Sequence, residues 1–210
     1  MGFITGSRMS REVHVRFCES VGVRIPRATR LVMGFERKED AERVLAVLPK
    51  RLGKYGLEIN AEKTRLVDFR RPRTDGPMKD HNAETFEFLG FTHYWGQSLN
   101  RHHYVMRHST AKGRLKRAIC TINRWCREHR HDPLREQWAA LNLKLKGHYG
   151  YYAISSNGRQ IHAFREHVRR CWFKWLNRRQ RRRDSLNWTG YAELLKAFPL
   201  VMPYCAYKLY

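Results

Sequence analysis

Acidic residues are scarce in the second half of this chain. Residues 101–210 hold 6 Asp and Glu against 24 Lys and Arg, a net of +18, whereas residues 1–100 hold 13 against 18, a net of +5. Little is left after residue 100 for paired-carboxylate chemistry, and no local Ser–His–Asp pattern supports a hydrolase. Long apolar runs are missing as well. No stretch reaches the about 18 apolar residues that a membrane-spanning helix needs, so no membrane partner is expected, and the start, MGFITGSRMSREVHVRF, lacks the apolar centre of a secretory signal. The five cysteines (Cys18, Cys120, Cys126, Cys171, Cys205) are odd in number, scattered, and without a C-x-x-C pair. That disfavours a disulfide framework and a zinc knuckle, and a reduced, cytoplasmic setting is the expectation.

What is present is enough apolar material for real cores. The 210 residues are 42% hydrophobic and include 10 Tyr, 10 Phe and 6 Trp, which excludes a disordered basic tail and allows one or two domains. The formal charge of +23 favours a polyanionic partner, because each neutralised phosphate releases counterions. The second half is the better candidate for that surface.

Residues 1–26 show no clear periodicity. From Leu31 the pattern sharpens: 31–35 (LVMGF) reads as a strand, and 39–54 as a helix with Ala41, Val44, Leu45, Leu48 and Leu52 on one face. Pro49 is placed to kink or break that helix, and Gly53 and Gly56 bracket its end. TRLVDF (64–69) and FEFLGFTHYW (86–95) read as strands separated by a Pro- and Gly-marked loop, and GQSLNRHH (96–103) as a hairpin turn returning through YVMRH. After His108 only helices are expected. Over 112–128, Leu115, Ala118, Ile119, Ile122 and Cys126 share one arc, opposite Arg114, Lys116, Arg117, Arg124 and Arg127. Leu134, Trp138, Leu141 and Leu145 repeat the spacing over 133–147, and Ile161, Phe164, Val168, Trp172 and Trp175 over 159–179. A last short helix, 185–198, ends before Pro199. Consecutive amphipathic helices with short loops read as a bundle.

Several blocks, in order, resemble the group II intron reverse transcriptase/maturase family. KYGLEINAEKTRLV (54–67) resembles the block after the catalytic strand, and FEFLGF (86–91) the block where the palm approaches the primer end. LNLKLKGHYGYY (141–152) with FREHVRRCWFKWLNRR (164–179) resembles the thumb, or maturase domain, and PLVMPYCAYKLY the closing segment of bacterial members. The resemblance covers roughly residues 31–210. It implies an α+β fold: a partial reverse-transcriptase palm over 27–108, a short antiparallel sheet with a helix, followed by an all-α thumb bundle over 109–210. Residues 1–26 stay unassigned.

The resemblance also implies a truncated protein whose fingers and most of whose palm are missing. The family's Tyr-Ala-Asp-Asp motif should stand at Arg27, Ala28, Thr29 and Arg30, where only Ala28 matches. Polymerase chemistry needs carboxylates that hold two metal ions. Thr29 brings no charge and Arg30 repels cations, so no catalytic set is intact. No cofactor is expected in this chain, and Mg2+ only in an intact polymerase of the family. Lys63, which matches a family lysine near the leaving pyrophosphate, is vestigial without the aspartates. Ala28-Thr29-Arg30 is also what a one-base frame shift gives over one choice of codons for Arg-Tyr-Ala-Asp (CGC TAC GCG AC read from its second base). On that account residues 1–26 are a non-native start; DNA that cannot encode the motif in another frame excludes it.

The expected function is binding of structured RNA, with a group II intron as the implied partner and splicing assistance as the implied role; DNA is a further polyanion of the same kind. The alternatives are an RNA-directed DNA polymerase of a mobile element, seen as a C-terminal fragment, and an inactive remnant whose open palm edges invite self-association. The RNA-binding candidates are Arg114, Lys116, Arg117, Arg124 and Arg127 on the first thumb helix; Lys144, Lys146 and His148 on the second; and Arg165, Arg169, Arg170, Lys174, Arg178 and Arg179 on the third. For each, a merely solvated charge is the competing reading. Tyr149, Tyr151 and Tyr152 are placed to stack on bases or to extend the core stripe. RRQRRR (178–183) reads as a phosphate-binding cluster or an exposed helix end. His102, His103, His108, His129 and His131 have no cysteine or carboxylate at ligand spacing, and Cys120 and Cys126, six apart, are too far round a helix to share a metal, so no metal site is expected.

Overall fold

The central strand of the first sheet comes from the stretch that shows no periodicity in the sequence. A computed structural model describes residues 14–22, 29–72, 84–98, 100, 102–179 and 186–207, with backbone alone at 14–22 and 29–31. Strand β1 (His14–Gly22) pairs antiparallel with β2 (Thr29–Phe35) on one side and with β4 (Thr64–Asp68) on the other. Its far end, Val21 and Gly22, pairs with the short β3 (Glu58–Ile59). In β1 the apolar alternation of Val15 and Phe17 is broken by Glu19 before Val21, too short a run for a sequence pattern to register.

Between β2 and β3 lies α1 (Lys38–Gly53), with Glu39 and Asp40 in its first turn and Lys50 and Arg51 in its last. Both sets oppose the helix dipole and so favour the helix. Pro49 does not end the helix; lying near its C-terminus, it removes one hydrogen bond where few remain. Gly56 takes φ +67 in the turn that follows, a conformation that costs glycine nothing.

The expected strand over 86–95 is instead two. β5 (Phe86–Phe88) and β6 (Phe91–Gln97) are joined by Leu89 and Gly90, at φ +49 and +84. Positive φ at both central residues is what a type I′ hairpin turn requires, and its twist matches that of the strands. β7 (Tyr104–Thr110) completes a second sheet in the order β5-β6-β7.

Helices α2 (Lys112–Glu128), α3 (Leu134–Tyr152), α4 (Gly158–Asn177) and α5 (Trp188–Ala197) follow. α3 runs five residues past its expected end, through Gly147 and Gly150. Each glycine costs a helix about 1 kcal/mol, and the burial of Tyr149 and the half-burial of Tyr152 offset it. Among the described residues no helix is long and apolar enough to cross a membrane. The fold is α+β.

The chain divides into two compact units: Met1–Phe88 with His93–Arg107, and Leu89–Thr92 with His108–Tyr210. In the first, Val67, Phe69 and Phe86 form the core, with Val32, Phe88, Trp95 and Met106 against it. The Trp95 indole N–H donates to the Phe69 carbonyl at 3.1 Å, which satisfies its one polar atom on burial. In the second, Leu141, Leu145, Tyr149, Ile161, Phe164, Val168, Trp172 and Tyr191 are almost wholly buried. Two of its fully buried polar side chains, Gln137 and Asn157, are paired, as burial demands. Gln137 accepts from the Trp172 indole at 3.0 Å and donates to the Asp132 carbonyl at 2.8 Å. Asn157 accepts from the Thr110 N–H at 2.8 Å and donates to the Thr110 hydroxyl and the Tyr152 carbonyl. The segment after α5 is tied across α3: Trp138 and Asn142 donate to the Pro199 carbonyl, and the Val201 N–H donates to Asn142.

Candidate nucleic-acid interface

On α2 the sequence produces a clean division of faces. Leu115, Ala118, Ile119, Ile122, Trp125 and Cys126 pack into the core. Arg114, Lys116, Arg117, Arg124 and Arg127 are all exposed on the other side. Lys112, which the periodicity argument passed over because it opens the helix, is exposed there too. Arg117 hydrogen-bonds to the Gly113 carbonyl of its own helix at 3.3 Å. The side chains of Arg114, Lys116, Arg124 and Arg127 make no hydrogen bond or ion pair with another described residue. The first turn of α2 contains no acid, and its N-cap, Ala111, has no side chain to cap with. Cations at that end are repelled by the positive pole of the helix dipole, so they weaken the helix slightly while drawing anions to its free N–H groups.

The β5–β6 turn lies at the start of this face. The Ala111 N–H donates to the Gly90 carbonyl at 2.9 Å. A Cβ at Gly90 would stand 2.9 Å from the Tyr152 hydroxyl and 3.6 Å from Cγ of Arg114, so a side chain there would have to push the Tyr152 hydroxyl aside in addition to meeting the strain of positive φ. The Tyr151 hydroxyl donates to the Leu89 carbonyl at 2.7 Å, and its ring stacks on Phe91 at 5.8 Å. Leu89 and Tyr151 nevertheless remain 57% and 51% exposed. Burial raises the Tyr152 phenol, partly countered by Arg114 and Arg117. An apolar and aromatic edge thus meets the cationic face, a combination suited to phosphates beside unpaired bases. Leu89 was invisible in the sequence, because FEFLGF read as one strand.

The candidates on α3 and α4 are placed differently. Lys144 is half-buried, with Nζ 5.2 Å from the Trp125 ring centroid; Lys146 is exposed. His148 is half-buried, stacked on Phe164 at 3.8 Å and tilted against Tyr152 at 4.6 Å. Its Nε2 is buried without a hydrogen-bond partner among the described residues. Burial pulls the imidazole down to about 4, so it is neutral at pH 7 and offers no charge to a phosphate. Arg165 donates to the carbonyls of Val201 and Leu200, tying down the C-terminal segment. Arg169 grips both oxygens of Glu166 at 2.8 Å, and Arg170 shares one of them at 2.9 Å. The hydrogen bonds from Arg169, then those from Arg170, hold the Glu166 carboxyl down to about 2 against the opposing effect of burial. Arg169 also covers Trp188, and Lys174 and Arg178 lie over Trp175 at 5.3 and 4.8 Å. Arg179 donates to the Asp132 carbonyl. Of the three sets, only the α2 set is both collected on one face and largely unengaged.

Of the tyrosines, Tyr149 is core, Tyr152 half-buried and Tyr151 exposed. Trp172 and Trp175 are buried, while Trp125 and Trp138 pack against the core from its edge. Arg27 and Ala28 lie outside the described residues, as do 180–183 of the arginine cluster. Thr29 and Arg30 begin β2, opposite Val21 and Glu19 of β1. Lys63 is exposed at the end of a 3-10 turn that Asn60 caps through the Lys63 N–H at 3.1 Å. By their chemistry alone a hydroxyl and a guanidinium, as Thr29 and Arg30 bring, do not supply the carboxylates that hold a pair of divalent cations. Among the described residues no group of three or more His, Cys, Asp and Glu side chains is arranged to hold a metal. His129 does have a carboxylate nearby that the sequence reading passed over: its Nδ1 lies 2.7 Å from Asp132. No protein-family model matches this chain, and no curated protein matches it either.

Proposed function

We propose that this chain binds structured RNA through the cationic face of α2, with Leu89 and Tyr151 at its edge. The observation that carries the reading is the set Arg114, Lys116, Arg117, Arg124 and Arg127: five exposed cations on one face with no acid among them. Unneutralised cations in a row repel one another, and a phosphate backbone relieves that repulsion while releasing its counterions. The ordered resemblance to group II intron reverse transcriptase/maturases supports a folded intron as the RNA, bound by charge and shape with little base readout. Polymerisation is not part of the proposal, since Thr29 and Arg30 stand where that family has carboxylates.

The test is anisotropy of a labelled, folded group II intron domain titrated with the chain at several salt concentrations. Binding that weakens steeply with salt, needs no magnesium beyond what folds the RNA, and is lost when the α2 cations become Gln supports the reading. Affinity unchanged in that variant sinks it. Magnesium-dependent extension of a primer on an RNA template by this chain would overturn the exclusion of polymerase activity.

A further inference from the structure

After α5 the chain leaves three large apolar side chains in solvent within one short stretch. Met202, Tyr204 and Tyr207 are 62%, 48% and 58% exposed. Single exposed apolar residues are ordinary, but several together mark a contact surface. The backbone that carries them is fixed at both ends. Trp138 and Asn142 of α3 hold Pro199 and Val201, and Arg165 of α4 holds the carbonyls of Leu200 and Val201. Farther on, the N–H groups of Ala206 and Tyr207 donate to the Ala153 carbonyl, and the Ser155 N–H donates to the Tyr207 carbonyl at 3.1 Å. Leu200, Val201 and Ala206 supply the packing against the core. The Tyr204 ring meets Tyr149 at 90° and 5.8 Å, which limits its rotation while about half of it stays in solvent. Side chains fixed in this way lose little freedom when a ligand covers them.

The surroundings of this segment are cationic. From 137 to 165 the chain has four Lys and Arg and no Asp or Glu, and from 194 to 207 it has Lys196 and no acid. Lys146 is exposed on α3 between Asn142 and Tyr149, which both bond to Val201; side chains three or four apart share a helix face. Arg165 donates to neutral carbonyls and makes no ion pair with a described residue. Glu166, the next acid along α4, is held by Arg169 and Arg170. Rings beside unpaired cations suit single-stranded nucleic acid, whose bases stack on the rings while its phosphates meet the cations. The same charge disfavours a second copy of this chain, which would bring a like-charged surface to the patch.

We propose that Met202–Tyr207 is a stacking platform for unpaired RNA bases, a contact separate from the α2 face. It rests on the reading that RNA is the ligand, but not on α2 being where the RNA binds. Tyr204 and Tyr207 take the bases, Met202 extends the apolar surface, and Lys146 meets the phosphate backbone beside them.

Cross-linking tests this on the wild-type chain. A folded group II intron domain substituted with 5-iodouridine is bound and irradiated, and the peptides that carry nucleotide are mapped. Adducts at Tyr204 or Tyr207 are expected; adducts confined to other residues, or none, overturn the proposal. Two hairpin probes, one with about eight unpaired nucleotides and one without, then separate the two surfaces. Tyr204→Leu with Tyr207→Leu should weaken binding of the tailed hairpin by at least about tenfold and of the blunt one by less than about twofold. Phe at both positions should keep the wild-type affinity, because the ring and not the hydroxyl does the stacking. The α2 Gln variant should weaken both probes. Unchanged affinity of the Leu variant for the tailed hairpin overturns the platform and leaves the α2 reading standing. Platform adducts formed at unchanged affinity by the α2 variant sink the α2 reading and keep the platform. A dimer of the free chain that the Leu variant dissolves would assign the patch to a second copy and overturn the proposal.

Discussion

Helices α2 and α4 belong to the same unit and are both rich in cations, yet α4 has Glu166 in its middle while α2 has no acid before Glu128 at its end. On α4, Arg169 and Arg170 grip Glu166, Arg165 holds the C-terminal segment, and Lys174 lies over Trp175, as does Arg178 at the helix end. On α2 none of the five candidate cations pairs with a charged group among the described residues. One helix directs its cations inward and around itself, where they hold the fold; the other directs them outward, where they are free to hold something else. Net charge alone does not separate the two, and the presence of an internal partner does.

The sharpest way to break that contrast is to remove three cations from each helix. Arg117, Arg124 and Arg127 changed together to Gln should weaken binding of a folded intron RNA on the order of 10- to 100-fold near 0.1 M salt, with the salt slope reduced by about 2. The melting temperature should change little, since these side chains support no contact beyond the 3.3 Å bond of Arg117. Arg165, Arg169 and Lys174 changed to Gln should do the reverse, with affinity altered less than about threefold and stability lowered by about 1–3 kcal/mol as the hydrogen bonds of Arg165 and Arg169 and the contact of Lys174 with Trp175 are lost. Equal losses of affinity in the two variants would erase the distinction.

Acid gives a second handle, on stability alone. His148 is folded with its pKa near 4 because burial penalises the charged ring. Its unfolded value is about 6.5, so the folded state is fully favoured above pH 6.5. As pH falls from 6.5 to 4 the unfolded chain takes up the proton first, and stability drops by on the order of 2–3 kcal/mol. His108, also lowered by burial, adds in the same direction. Chemical denaturation of the chain at steps between pH 7 and 4 should show this slope, and His148→Phe, which keeps a ring on Phe164, should remove most of it. A slope unchanged in that variant would mean that His148 is not the titrating group.

How much of this was legible in the sequence depends on whether a pattern was long enough to see. The periodicity of 112–128 fixed both faces of α2, because seventeen residues of 3.6-residue repeat leave no other assignment. β1 was missed because its apolar alternation is broken at Glu19, and the strand owes its place to pairing on both sides. The Leu89–Gly90 turn was missed for the opposite reason: its neighbours are so β-prone that the break between them depends on backbone geometry rather than composition. Spacing could name the cations on α4 but not their partners. Glu166 sits three and four residues before Arg169 and Arg170, and that much was readable. The carbonyls of Leu200 and Val201, held by Arg165 from thirty-five and thirty-six residues away, were not.

Glu166 itself offers the smallest and most discriminating change. Its carboxyl is held near 2 by Arg169 and Arg170, below its ordinary value of 4.5, so its contribution is present above pH 4.5 and fades as pH falls from 4.5 toward 2. The group is about a third exposed, 36% at the side chain, and solvent screening keeps the pair worth less than about 1 kcal/mol. Glu166→Gln should therefore lower stability at neutral pH by well under that amount while releasing two guanidinium groups toward solvent. If α4 differs from α2 only because Glu166 neutralises it, the variant should bind RNA about two- to threefold more tightly at low salt, and the gain should vanish at high salt. If binding does not rise at all, the two helices differ in their accessibility to RNA and not merely in their charge, and the α2 face is then distinguished by position as well as by its lack of acids.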